Sequence, residues 1–282
     1  MEHVIRIAQL GTIEELKSVQ RLEELIWGNG STPLQQMLTA VKNGGMVLGL
    51  YADGILAGFQ YSFTGFKNGQ VYLCSHLLGI HPEYRGKGFG KRLKWAQKEE
   101  ASKKGYTLIT WTYDPLESVN ARLNISTLKA FSRTYVKDCY GDLGGILNHG
   151  LESDRFIVEW LPDHRHIGAE YLYTSKADPD LIQIGENTDG LPFLKTYDFL
   201  QFQASVDRCE PILVPIPANF QKLKKENIEL AKQWRKQTRE LFQYFFSAGY
   251  VACETMQYNK GPCLFYVLYH ESQLNIPAQR LS

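Results

Sequence analysis

The chain has no pair of cysteines at a Cys-x-x-Cys spacing. Its five cysteines, Cys74, Cys139, Cys209, Cys253 and Cys263, are widely scattered and odd in number. That argues against a disulfide framework or a structural zinc, and the thiols read as reduced packing groups. An excess of either charge is also missing, with 31 Lys plus Arg against 30 Asp plus Glu. No overall field favours a polyanion, so neither nucleic acid nor an acidic membrane is expected as the main partner. No apolar run approaches the roughly 18 residues of a membrane span, and Met1 to Leu10 does not form a basic segment leading into an apolar core. A soluble, cytoplasmic protein is expected. Short-period repeats and low-complexity stretches are absent as well.

What the chain does have is 282 residues of 44% hydrophobic composition, enough for one large domain or two ordinary ones. The first half alternates strands and helices. Val4 to Ala8 reads as a strand. Thr12 caps a helix from Ile13 to about Trp27, with Glu15 completing a capping box. Ser31 caps a second helix with Pro33 in its first turn, ended by Gly44-Gly45. Met46 to Tyr51 and Ile55 to Phe63 form a hairpin around Asp53-Gly54, and Gln70 to Ile80 is a further strand. Phe89 to Lys104 is helical, closed by Gly105, and Thr107 to Thr112 is the next strand. The pattern predicts a helix from about Leu123 to Tyr135 and a strand from Arg155 to Trp160. Past Pro162 turn formers interrupt the pattern, which places a boundary there: residues 1–161 and 162–282. The second part offers a strand at Pro211 to Pro215, a long helix from Phe220 to Ala248, and strands Tyr250 to Gln257 and Leu264 to Tyr269. Strand, helix, Gly-Tyr, strand recurs at Leu73 to Trp111 and Ile212 to Met256, a loose duplication whose second copy lacks a glycine turn.

That glycine turn carries the functional signal. An apolar strand runs into a helix through Gly86, Gly88 and Gly90, so several backbone N–H groups converge at the positive end of a helix dipole. Arg85, Lys87, Lys91 and Arg92 crowd the same turn, as suits a pyrophosphate. A Walker turn would need Gly-Lys-Ser/Thr, but Lys91-Arg92 follows Gly90; a Rossmann turn needs Gly-x-Gly-x-x-Gly, and the spacing here is Gly-x-Gly-x-Gly.

The string from Ile80 to Gly90, with Arg85, Gly88 and Gly90 filling Arg-x-x-Gly-x-Gly, resembles the acyl-CoA signature of the GNAT N-acetyltransferase superfamily. The element order over about residues 1–161 is similar to that fold. The resemblance implies an α/β (α+β) protein with a central mixed, mostly antiparallel sheet flanked by helices, and a C-terminal α/β part that is a lid or a degenerate second half. Ser75-His76-Leu77-Leu78, the Leu93-Lys94-Trp95-Ala96-Gln97 helix, Thr110 to Leu116 and Ser153 to Phe156 resemble a bacterial group of GNAT enzymes with a long C-terminal extension. It implies acetyl-CoA or another acyl-CoA as co-substrate, succinyl-CoA among them, and a small-molecule amine acceptor, amino acids included. By the same resemblance, the amides of Gly86, Lys87, Gly88, Phe89, Gly90 and Lys91 hold the pyrophosphate, and the backbone of Leu78 and Ile80 runs beside the pantetheine arm. Gly79 allows a close backbone approach.

Acyl transfer to an amine needs a proton acceptor, an oxyanion donor and a route for the leaving thiolate. His76 sits two residues before the strand segment that meets the thioester, and it resembles the base of arylalkylamine N-acetyltransferases; a structural histidine is the alternative. The amide of Leu78 is the oxyanion donor if the strand splays there. Many GNAT enzymes place a Tyr acid seven positions beyond the residue matching Asn124, where this chain has Phe131; Tyr135, one helical turn further, is the substitute, or it simply packs. Asn120 and Asn124 reach the pantetheine or acceptor, or Asn120 caps a helix. Trp27 to Ser31 borders the acceptor pocket by analogy. Asp154-Arg155 reads as a buried ion pair or a carboxylate clamp, and Trp234, Arg235 and Arg239 as a cover for the acceptor or as solvated helix charge. His164 and His166 lack partners of ligand type, and no metal is assigned. A non-catalytic acyl-CoA-binding regulator is the competing reading, and the helix Phe220 to Ala248 serves as a lid or a homodimer interface.

Overall fold

The computed structural model describes residues 3–28, 30–141, 151–163, 177–257 and 261–278. Asn29, His164 and His166 lie outside them. The chain forms two compact units, residues 1–111 with 160–164, and residues 112–159 with 165–280. The units do not follow the order of the chain: residues 112–159 belong to the second and 160–164 to the first.

The first unit begins with β1 (Ile5–Gln9), α1 (Ile13–Trp27) and α2 (Leu34–Lys42). Thr12 and Glu15 form the expected capping box, in which the Thr12 hydroxyl accepts from the Glu15 amide at 3.3 Å. Gly28 ends α1 at φ 82°, a left-handed position that suits glycine. Ser31 does not cap α2. Its hydroxyl donates to Glu24 at 2.9 Å, and Pro33 takes the cap position without a side-chain bond, so the helix starts at Leu34. The buried Glu23 carboxylate accepts instead from the Thr32 amide and hydroxyl at 3.0 and 2.9 Å, which pins the entry of α2 to α1.

β2 (Met46–Ala52), β3 (Ile55–Lys67) and β4 (Gln70–Ile80) follow, joined by the turns Asp53-Gly54 and Asn68-Gly69. All four turn residues have positive φ, the signature of tight hairpins. α3 (Phe89–Lys103) leads to β5 (Ile109–Tyr113), whose residues to Trp111 belong to this unit. Strand order is β1-β2-β3-β4-β5, antiparallel except that β4 and β5 run parallel. Strand alternation sorts the two faces. Phe59 and Tyr61 pack with Leu16, Val19, Leu22 and Met37 beneath α1 and α2, whereas Ser62 bonds Gln97 of α3 at 2.7 Å on the opposite face.

In the second unit the expected helix from Leu123 to Tyr135 does not form. α4 (Ser118–Ala121) passes into a π-helical turn, Arg122–Thr127, then Lys129 takes φ 58°, and Phe131 begins β6 (Phe131–Val136). β7 (Arg155–Trp160) pairs antiparallel with β6. Beyond it come the hairpin β8 (Ile184–Glu186) and β9 (Pro192–Leu194), the short α5 (Gln203–Asp207), and β10 (Ile212–Pro217). The long helix is two, α6 (Phe220–Glu226) and α7 (Ile228–Ser247), because Asn227 leaves the helical region and caps α7 by accepting from the Leu230 amide at 3.0 Å. β11 (Tyr250–Met256) and β12 (Cys263–His270) complete the order β7-β6-β11-β12-β10. The duplication is therefore only partial. β4 and β5 are parallel neighbours, but β12 lies between β10 and β11.

α7 is fastened through Asp154, fully buried just before β7. Its carboxylate accepts from Arg239 Nε at 2.7 Å, the Tyr135 hydroxyl at 2.5 Å and the Asp138 amide at 3.0 Å. Arg155 is not its ion-pair partner: that guanidinium donates to the Asp154 carbonyl at 2.8 Å and lies over Tyr140. Arg235 pairs with Asp114 and is likewise buried, so neither arginine of α7 is solvated helix charge. Asp154→Ala leaves Arg239 without its buried counter-ion and should cost about 3–5 kcal/mol, whereas Arg155→Ala should cost under about 1 kcal/mol. Urea denaturation of the full-length variants measures the difference, and equal losses would contradict this assignment.

Candidate active site

The glycine turn has the geometry of an anion site. Gly88 is the N-cap of α3 at φ 77°, Gly86 has the same φ, and no side chain caps the helix. A Cβ at Gly86 or Gly88 would meet nothing within 4 Å, so backbone conformation rather than space calls for glycine. The first amides of α3 have no partner within the helix. Arg85, Lys87, Lys91 and Arg92 are all exposed around them, and no acidic residue occupies the first turn. Lys87 is held from behind: its Nζ donates to His3 Nε2 at 3.1 Å, and His3 Nδ1 bonds the Asp53 carboxylate at 2.6 Å. That contact holds the Asp53 carboxyl below its usual pKa.

The strand leading to the turn is the other half of the site. β4 pairs with β5 only at Leu73 with Ile109 and Cys74 with Thr110. From Ser75 to Ile80 its backbone has no β5 partner among the described residues. On its other edge β4 pairs with β3, where Tyr61 faces Leu77 and Ser62 faces Ser75. His76 is therefore the extra residue of a β-bulge, a device that re-aims a side chain. Its ring stands 5.8 Å from Tyr61 and 5.5 Å from Phe63, and no described residue hydrogen-bonds it. His76 remains exposed to solvent, but partial desolvation of its ring beside these neighbours lowers its pKa, with Glu23 opposing. Gly79 has a packing role: a Cβ there would stand 2.6 Å from Phe59 and 2.8 Å from Ile26.

Asn120, Asn124 and Tyr135 belong to the second unit. Asn120 lies inside α4, whose N-cap is Glu117, so it is not the cap. Asn124 is buried in the π-helical turn, where its carbonyl accepts from the Ala130 amide at 3.1 Å. Tyr135 is on a strand, not a helix; its hydroxyl is engaged by Asp154, and burial raises its pKa.

The family model for acetyltransferases of the GNAT family matches residues 14–122, a span that contains β4, the glycine turn and α3. The chain carries a GNAT acetyltransferase domain. Solved structures similar to it include the ribosomal-protein-S18-alanine N-acetyltransferase of Escherichia coli, at 16% identity and TM-score 0.47, aligned over 60% of this chain and 99% of that one. Another is a putative acetyltransferase of Salmonella typhimurium with its cofactor acetyl-CoA, at 15% identity and TM-score 0.46 over 58% and 98% of the two chains. A third, Naa50 of Arabidopsis thaliana with a bisubstrate analogue, has 14% identity and TM-score 0.44 over 55% and 97%. No curated protein matches the chain.

Beneath α3 the GNAT domain also buries a polar group that the sequence pattern does not single out. Lys94 is 3% exposed. Its amine donates to Ser75 at 2.8 Å and stands 3.5 Å from the centre of the Trp111 ring. Burial lowers its pKa well below the ordinary lysine value and raises that of neighbouring Cys74 to about 11. Gln60 and Gln97 complete the layer through Ser62, and Gln60 Oε1 has no described partner. The signal for Lys94 was a lysine on the same helical stripe as Phe89, Leu93 and Gln97.

If His76 is the base, its lowered pKa makes a definite pH prediction. Its neutral form is the active one, so kcat/KM should rise with pH through a value below ~6.5 and then level. His76→Gln should erase that acid limb and lower kcat by about 10²-fold or more. An unaltered profile removes His76 from the proton path.

Proposed function

We propose that the protein transfers an acetyl group from CoA to a primary amine of a small molecule by direct attack within a ternary complex. The observation that carries this reading is the path of β4, unpaired by β5 beyond Cys74 and running into an uncapped helix N-terminus ringed by four cations. The phosphates of CoA suit the turn, and the free strand edge suits the amide-bearing pantetheine arm. The amine nitrogen attacks the thioester carbonyl, the C–N bond forms, the C–S bond breaks, and the sulfur departs as thiolate. His76 takes the ammonium proton. The Leu78 amide faces the developing oxyanion. The Tyr135 hydroxyl spends its hydrogen bond on Asp154, so thiolate departure is left unassisted, as its low basicity allows.

Gly88→Val tests the cradle. A β-branched residue does not settle at φ 77°, the amides turn away, and the KM for acyl-CoA should rise at least about tenfold. Calorimetric CoA binding and thiol release with an amine panel report the result. Binding without release favours the non-catalytic regulator, and no binding removes the reading.

For the donor, a second reading has one observation in its favour. The Lys94 amine, with no carboxylate partner among the described residues where β4 leaves β5, would suit an acyl group that ends in a carboxylate, such as succinyl. Lys94→Met should then lower the succinyl-CoA to acetyl-CoA ratio of kcat/KM by about tenfold or more. An unchanged ratio assigns Lys94 to packing. Amino acids are among the acceptors this function admits.

A further inference from the structure

The four cations around the glycine turn are not held alike. Lys91 and Arg92 are exposed, and Arg85 Nε donates to the Ile80 carbonyl at 3.4 Å. Lys87 is gripped by a side chain from the far end of the sequence. Its Nζ donates to His3 Nε2 at 3.1 Å and lies 4.8 Å from the centre of the Tyr84 ring. The His3 ring stands 5.6 Å from Tyr84 and 6.4 Å from Phe89, the two aromatic residues that flank the turn.

The partners dictate where the imidazole carries its hydrogen. A carboxylate only accepts, so His3 Nδ1, which meets Asp53 at 2.6 Å, is the donor. An ammonium only donates, so Nε2 offers its lone pair to Lys87. The ring is a bridge with one tautomer, fixed from both ends. Asp53 is placed by backbone contacts of its own. It takes φ 51° in the turn between β2 and β3, its amide donates to the Val4 carbonyl at 3.0 Å, and its Oδ1 accepts from the Val4 amide at 2.9 Å. Those two bonds fasten the start of β1 without the His3 ring. What the imidazole adds is a hold on Lys87.

We infer that His3, oriented by Asp53, is a positioning residue that fixes the Lys87 ammonium at the glycine turn for the phosphates of CoA. The inference rests on the function proposed above and adds to it a residue outside the glycine motif. A free lysine gives up rotamer freedom when it meets an anion. One that is already held gives up less, and binding gains by the difference. An ammonium has three N–H donors and His3 takes one, so two are left for phosphate oxygens. A carboxylate in direct contact with Lys87 would grip it as firmly, but its charge would stand beside the phosphates and repel them. The imidazole keeps the Asp53 charge one ring further away.

A double-mutant cycle, read by calorimetric binding of CoA to the full-length protein, tests the relay. His3→Ala should raise the Kd for CoA about fivefold, and Lys87→Met about tenfold. In the Lys87→Met background, His3→Ala should change Kd by less than about twofold, because no ammonium is left to position. His3→Gln should stay within about twofold of the wild type, since its carbonyl oxygen can accept from Lys87 while its amide donates to Asp53. Equal effects of His3→Ala with and without Lys87 overturn the inference, because a general loss of structure would weaken both backgrounds alike. A His3→Gln variant as weak as His3→Ala overturns it too, as does a His3→Ala variant that binds CoA like the wild type. Wild-type protein that binds no CoA removes the underlying function and the inference with it.

Discussion

The early separation of β4 from β5 is the constraint on which the rest of the first unit depends. Two parallel strands that stayed paired along their length would satisfy each other's amides and leave no edge for a ligand. Here pairing ends at Cys74, and beyond it the strand pairs, among the described residues, with β3. The strand keeps its course because β3 spans thirteen residues and pairs with it from Lys67 to Gly58. A long antiparallel hairpin thus supports an edge that would otherwise be a liability, and it delivers the chain to the glycine turn at a fixed height above α3.

The same separation explains the buried polar layer. Where β5 no longer covers β4, Ser75 is reached from α3 by Lys94 and Gln97. Replacing these groups with leucine or valine would pack more simply, yet the chain keeps a lysine, two glutamines and two serines at this level. Buried polar groups are costly when partly satisfied, and both the Gln60 oxygen and the Lys94 amine have bonding capacity to spare.

Much of the first unit was legible in the sequence because local signals agreed with the final packing. Thr12 with Glu15, Asp53-Gly54, and Gly86 with Gly88 each specify a backbone shape by themselves, and each is found as expected. The second unit was less legible for a reason that can be stated residue by residue. Leu123, Leu128, Phe131 and Tyr135 fall near helical spacing, but Phe131 to Val136 pairs with β7 and the left-handed Lys129 breaks the chain between the two states. Tertiary pairing overrode periodicity there. The split at Asn227 was readable in principle, since asparagine before an apolar stripe is a cap signal as much as a helix residue. His76 was singled out by its place two residues before the strand segment expected to meet the thioester. The bulge that re-aims it was not legible, because it depends on the register that sets Tyr61 across from Leu77, and register is not a property of any single segment.

The bulge at His76 also settles an electrostatic question. Without the extra residue, strand alternation would force a choice between presenting residue 75 or 76 to a given partner. With it, Ser75 bonds α3 while His76 meets Tyr61 and Phe63 beneath α1 and α2. The sheet then stands between His76 and Lys94, and Glu23, not Lys94, is the charge that acts on the imidazole. Had the lysine shared the histidine's face, its field would have depressed the histidine further and weakened it as a proton acceptor. Lys94 thus lies on one face of the sheet, bonded to Ser75, and Glu23 on the other, bonded to Thr32.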